Sequence, residues 1–346
     1  MIRKIMTSKR VRFGVVFLGI LLLSSILYDP ILKEILPTQK RLLFNQEREL
    51  IASAPFTPIQ MPPFGSDRLG IPIFNKILEG AKYTIGLAVF VSFFRVFFGA
   101  VIGLFISLYM KRLKGFIRGL SQAFDYIPTI FLAFILIKPL YVSLTGEDAS
   151  VSIQWTLITY QLFVAIGIGV PTVSVFIASE IDEYKKNEHV MSSIIMGATK
   201  LHLIRTHIWL YLKDKLLILF MQNIVQSLIL FTHLGILHIF IGGQRLVHID
   251  ENTIKNISLS NEWSGLIGIN NYEIMVSPWI ILSPLIAFSI TIYIIKIMIE
   301  GIQDVFNTRI VQSPIKKQKL EKQKLTLEKH LFTFNVSNEN KERIGD

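Results

Sequence analysis

The residues able to do chemistry are few and scattered. The run NEHVMSSIIMGATKLHLIRTHI, Asn187 to Ile208, gathers three histidines and two adjacent serines between two apolar segments. Serine beside histidine can make an activated nucleophile, but Ser192 and Ser193 are not set in the G-x-S-x-G turn that exposes one. GATK, ending at Lys200, lacks the glycine spacing and preceding strand of a phosphate cradle, and no H-E-x-x-H pair is present to bind zinc. His233 and His238 could serve a metal or pack at an interface, and their surroundings show no ligand spacing. The chain has no cysteine, which excludes disulfides, thiolate metal sites and cysteine nucleophiles within it. The expectation is a non-enzymatic chain with no cofactor of its own.

Arg95 and Asp125 stand out among the ionisable side chains inside or beside apolar stretches. Arg95 lies a third of the way through one, where a charge is costly unless it pairs, snorkels to the interface or lines a polar path. Packing or interfacial anchoring and a path-facing role both remain open for it. Asp125, in SQAFDYIPTI, reads as a hydrated or paired structural acid near the start of a helix, or as a proton relay, and Pro128 is expected to bend that helix.

These residues must be held by membrane-spanning helices. Of 346 residues 51% are apolar and only 18% charged, with a mean hydropathy of +0.50, far from a soluble composition. Six apolar stretches stand out, near Phe13 to Leu27, Tyr83 to Met110, Leu120 to Val142, Leu157 to Ser179, Leu216 to Ile241 and Glu273 to Ile299. Most approach the roughly 20 residues needed to cross hydrocarbon, so an all-α integral membrane protein with six transmembrane helices is expected. The first stretch follows a basic segment, as a signal peptide would. It lacks a convincing cleavage pattern and is read as a retained helix.

Lys and Arg are divided 24 to 10 between the two faces this topology creates, with Arg95 and Lys296 inside helices. The richer face includes both termini and the short loops, so both termini are expected in the cytoplasm. The resulting organisation is a cytoplasmic N-terminus (1–12), a first helix (13–27), an extracytoplasmic segment and helix approach (28–82), a five-helix core (83–300) with a cytoplasmic loop (180–215), and a basic tail (301–346). A net charge of +11 then reflects basic residues near anionic lipid. No nucleic-acid recognition pattern accompanies it. The tail, KKQKLEKQKLTLEKHLF, suits an amphipathic helix against the inner leaflet or a cytoplasmic subunit, or a solvated extension.

Other features suggest how helices meet. Gly99 and Gly103 have the G-x-x-x-G spacing that permits close approach. Gly167, Gly169 and Pro171 can soften or kink a helix. Ser66 or Asp67, in FGSDRLG, could cap the helix that follows. In the polar run, a short helix from Glu188 through Met196 is expected to break at Gly197 and resume near Thr199, a candidate N-cap. Val190, Met191, Ile194 and Ile195 share one apolar face of that helix. Such a face either packs beneath the bundle or docks a partner.

This loop resembles the cytoplasmic coupling loop of the membrane subunits of ATP-binding-cassette importers, in the oligopeptide, dipeptide and nickel permease family. That family reads Glu-Tyr-Val-x-Ala-Ala-Arg-x-Leu-Gly-Ala, then a spacer and His-Ile-Leu-Pro. Glu188, Val190, Gly197, Ala198, His207 and Ile208 match, whereas His189, Ser192, Ser193, Ile194, Met196, Trp209 and Leu210 depart. PPFGSDRLG, NEWSGLIG and EGIQDVFNTR resemble further family landmarks in the same order. The long segment after the first helix is similar to that of the second, C-type permease.

The resemblance implies a type I importer permease fold, half of a translocation path in a bacterial plasma membrane, and peptide cargo, with nickel or another small solute as the alternative. The implied partners are a related permease, two ATPases carrying ATP and Mg, and an external binding protein or lipoprotein. Glu188 to Ala198, including Ser192 and Ser193, would contact an ATPase groove, with Val190, Met191 and Ile194 docking and His207 in the loop's return arm. A non-transporting structural subunit, a channel and a membrane enzyme are the remaining readings.

Overall fold

The computed structural model describes residues 5–311 except 38, 45–48, 111–114, 120–125, 145–150, 242–243, 251–252 and 259. Helix α1 (Lys9–Ile26) continues through a π-type turn into Lys33–Ile35 with a bend of 55°. A small antiparallel hairpin follows, β1 (Leu42–Phe44) with β2 (Leu50–Ser53). The bundle proper contains α2 (Ile73–Tyr109), α3 (Thr129–Leu144) and α4 (Val151–Tyr184). Two short helices, α5 (Glu188–Ile195) and α6 (Lys200–Leu203), lead through a second π-type turn into α7 (Trp209–Ile236). A second hairpin, β3 (Gln244–Asp250) with β4 (Thr253–Ser258), precedes α8 (Trp263–Ile269) and the last helix, α9 (Trp279–Val311).

Helix dominates because a backbone in hydrocarbon can satisfy its N–H and C=O groups only within its own segment or a closed barrel. Among the described residues, four helical spans are long and apolar enough to cross a membrane: Ile73–Tyr109, Trp155–Tyr184, Lys200–Ile236 and Trp279–Phe306. The bent pair at α1 makes a fifth if it acts as one span. Helix α3 has 16 residues, about 24 Å at 1.5 Å per residue, and falls short of a ~30 Å core. The architecture is that of a mostly helical, multi-pass membrane protein.

Several expected boundaries move. Pro128 stands just before α3, which starts at Thr129, so it does not bend that helix. Glu273 belongs to a 3₁₀ turn (Asn271–Met275), and the last helix begins only at Trp279, after Pro278. Neither Ser66 nor Asp67 caps α2, whose N-cap residue is Pro72. Asp67 instead accepts from the N–H groups of Leu69 and Ile71, both at 2.9 Å, and from Lys76 Nζ at 2.6 Å. Ser66 Oγ accepts from the Phe56 N–H at 2.9 Å. Both side chains hold the turn leading into the helix. Asp125, and the tail beyond residue 311, lie outside the described residues.

The bundle has two distinct ends. At one, Ser25 Oγ accepts from the N–H of Lys82 and donates to Glu79 O, joining the end of α1 to the early part of α2. Trp263 is fully buried there, its indole donating to Ile77 O at 2.8 Å and its backbone N–H to Thr84 Oγ1 at 2.9 Å. Arg68 also pairs with the buried Glu273 at 2.5 Å. At the opposite end Arg10 bridges to Asp304 at 3.0 Å, joining the beginning of α1 to the last turns of α9. The start of the first helix and the end of the last are therefore neighbours.

Gly99 and Gly103 do bring helices together. A Cβ on Gly103 would lie 2.7 Å from the carbonyl oxygen of Ser174 and 3.0 Å from Ile177, on α4. Gly99 faces Val173 just as closely. Gly103→Leu is expected to lower the protein's thermal midpoint in detergent micelles, at a cost of about 1–3 kcal/mol for overpacking. Gly86→Leu, where no atom lies within 4 Å, is expected to leave the midpoint unchanged.

Candidate functional site

The loop joining α4 to α7 forms the two-piece connector expected from its sequence. Helix α5 closes at the C-cap Met196, and Gly197 follows with φ of +84°, a left-handed conformation natural to glycine and strained for other side chains. The chain then turns, and Thr199 caps α6 by accepting the His202 N–H at 3.3 Å. Hydroxyl capping satisfies one of the amides left unpaired at a helix start.

The apolar face divides unevenly. Val190 is 0% exposed, packed with Leu108, Val173, Ile177, Ile181, Leu203, Ile208 and Leu212. It is thus unavailable for docking, a correction to the sequence expectation: its helical position points inward onto the ends of α2, α4 and α7. Met191 and Ile194 are exposed, and Ile195 and Met196 are 79% and 80% exposed. Together they form the outward apolar surface, adjoining Glu188 and Ser192, whose hydroxyl returns to Glu188 O. Ala198 is half-buried against the same cluster as Val190.

Polar contacts fasten this connector to the helices above it. Lys185 Nζ donates to Ser107 O and Oγ at 2.9 and 2.7 Å, and Ser107 Oγ donates to Asp182 at 2.8 Å. These bonds join the last turns of α4 and α2. Glu180 accepts from Tyr211 at 2.8 Å and pairs with Lys215, joining α4 to α7. Tyr184 stacks on Tyr211 at 4.0 Å, and Lys200 sits 3.8 Å from the centre of the Tyr109 ring. The ends of α2, α4 and α7 are thereby joined to one another and, through Lys200 and the cluster around Val190, to the connector.

The loop's histidines also converge. His189 and His207 lie 5.9 Å apart between ring centres, and His202 and His207 6.2 Å. His207 Nε2 is 3.1 Å from Ser193 Oγ, linking the return arm to α5. Ser193 also donates to His189 O, which places its hydroxyl in a helix-to-arm brace. Among the described residues, no three His, Cys, Asp or Glu side chains are grouped to hold a metal ion. His233 lies on α7 with Nδ1 2.7 Å from Ile229 O, whereas His238 lies beyond the helix with φ of 57° and stacks with Tyr272.

Arg95 occupies a different region. It is 2% exposed and does not snorkel to an end of the bundle. Its Nε and Nη2 both donate to Ala165 O on α4, at 2.9 and 2.6 Å. The side chain borders a cavity of about 670 Å³ between α2, the start of α3, α4 and α7. Sequence reasoning found the arginine but not this cavity, because its walls come from segments more than a hundred residues apart. The fastening residues Ser107, Asp182, Glu180 and Tyr211 were missed because each bonds across to a different helix, 75 residues away for Ser107 with Asp182 and 31 for Glu180 with Tyr211.

No protein-family model matches the chain. It is similar to the peptide transport system permease protein SapC of Haemophilus influenzae, at 21% identity over 250 residues covering 70% of this chain and 73% of that protein. It is also similar to the glutathione transport system permease protein GsiD of Escherichia coli O1:K1, at 22% identity over 250 residues covering 71% and 72% respectively. These distant similarities and the helical architecture agree at the level of a multi-pass transport permease.

Proposed function

We propose that this chain is a membrane permease subunit of an ATP-driven importer and forms half of the path for a small peptide. The observation carrying this reading is the connector from Glu188 to His207, with a buried Val190 fastening its inner face and Met191, Ile194, Ile195 and Met196 exposed on its outer face. An apolar surface outside the bundle has an energetic reason to seek a partner, and the attached helix ends convert partner movement into bundle movement.

In this reading the bent α1 and short α3 complete six crossings in the type I importer arrangement. The bundle end bearing Arg10, Asp304 and the connector faces the cytoplasm of a bacterial cell, placing both termini there. The second permease completes the cavity, two ATPases bind ATP and Mg, and an external binding protein delivers cargo. ATP binding draws the ATPases together and moves both connectors, and hydrolysis resets them. This chain's contribution is geometric: it bears the path and carries the force.

The test is reconstitution of the native-membrane complex into proteoliposomes. ATPases are expected to co-purify with the chain, and tripeptide accumulation is expected to require ATP. A complex without ATPases, or flux unaffected by removing nucleotide, overturns the reading.

A further inference from the structure

The geometry points to Arg95 and Asn223 as a recognition site for a solute bearing both a carboxylate and an N–H donor, the chemistry of a short peptide. The transport reading supplies the choice of peptide as ligand, while the site itself stands on the cavity's charge and hydrogen-bonding pattern.

Arg95 is a fixed cation deep within the bundle, and among the described residues no carboxylate forms an ion pair with it. Its two observed donors share one neutral carbonyl oxygen, Ala165 O. A charge in a membrane segment is costly without an opposite charge, water or a polar path. The cavity beside Arg95 also includes Thr129, Thr172, Gln222, Gln226 and His233, and among the described residues no acidic side chain lines it. Its electrostatic demand is for a negative group.

Asn223 makes the opposite demand. It is 1% exposed and lines the same cavity, and its Nδ2 donates to Leu219 O at 2.9 Å. Its Oδ1 is buried without a hydrogen-bond partner. Leaving a buried acceptor unsatisfied is unfavourable, so a small displacement of the amide that brings its oxygen to a donor in the cavity is favoured. Gly169 supplies the remaining element of construction, since a Cβ there would come within 2.5 Å of Arg95 Nε. The glycine on α4 leaves the space the guanidinium occupies.

A cavity of this size falls in the ordinary range for small-molecule sites. A ligand carboxylate placed at Arg95 gains charge-assisted hydrogen bonds, and an amide or ammonium N–H placed at Asn223 satisfies its oxygen. The site thereby distinguishes a peptide acid from its amide.

Equilibrium dialysis of the full-length chain in lipid nanodiscs tests this directly. The probes are a pooled set of tripeptides with free C-terminal carboxylates and the same set amidated, each quantified by mass spectrometry. The free acids are expected to be retained in preference to the amides. Arg95→Gln is expected to weaken retention of the acids roughly tenfold to a hundredfold, the loss of a charge-assisted contact, whereas Arg95→Lys retains the preference. Asn223→Leu is expected to weaken both sets, because both carry N–H donors.

Equal retention of acids and amides by the unaltered chain overturns the inference. So does an undiminished acid preference in Arg95→Gln of unchanged thermal midpoint, or an equal fall for acids and amides in that variant, which marks a structural arginine. If the chain selects acids but its purified complex drives no ATP-dependent uptake, the transport reading fails and the recognition site stands.

Discussion

Changing Met191 and Ile194 together to aspartate is expected to eliminate ATP-driven uptake by detaching the ATPases from an otherwise folded bundle. Both side chains are exposed on α5, while Val190 on its inner side is fully buried. The substitutions therefore place charge on the outer surface and leave the internal anchor untouched. If docking removes roughly 100 Å² of apolar surface from water, it supplies about 2.5 kcal/mol before association costs, equivalent to roughly seventyfold in affinity. Quantitative recovery of ATPase with the tagged permease measures the effect. Undiminished recovery and uptake in the double variant would eliminate this surface as the docking site.

Gly197→Pro is expected to affect coupling more than binding. Proline holds φ near −65°, whereas Gly197 has φ of +84°, so the chain cannot leave α5 in the same direction. The ATPases remain able to meet α5, but the return arm through Thr199 and His207 is misdirected. ATP turnover should persist in the assembled complex while uptake falls at least tenfold. Gly197→Asn is a milder comparison, because asparagine enters the left-handed region more readily than other side chains. Full uptake in the proline variant, with assembly intact, would show that the bend does not transmit force.

Local signals were readable where one segment supplied both cause and effect. The φ requirement at Gly197 and the hydroxyl cap at Thr199 lie within a few residues of the helices they control, and both are present as expected. The close-packing role of Gly99 and Gly103 was also legible, although their partner helix was not. Apolar runs located the long helices but not their ends. Glu273 looked like a helix start because apolar residues follow it, yet its tertiary pairing with Arg68 holds it in the preceding turn.

The same distinction explains the site. Helical spacing placed Val190 beside Met191 and Ile194, but only packing by α2, α4 and α7 determines which of them is buried. Arg95 was visible as an expensive charge, whereas the oxygen it bonds and the cavity it borders are assembled by distant helices. Likewise, the landmarks around Gly65 and Trp263 were read separately, and the fold brings Trp263 onto the helix that follows the first of them.

The attachment of α1 to α9 sets an order on biosynthesis. Gly14 accommodates Met298, Gly301 accommodates Ser8, and Arg10 reaches Asp304, so α1, made before α9, lacks part of its final lodging until α9 is in place. Until then it is held at its far end, where Ser25 bonds Glu79 and Lys82 of α2. A chain that stops before Trp279 keeps that hold and loses the one at Arg10, so its α1 is tethered at a single end.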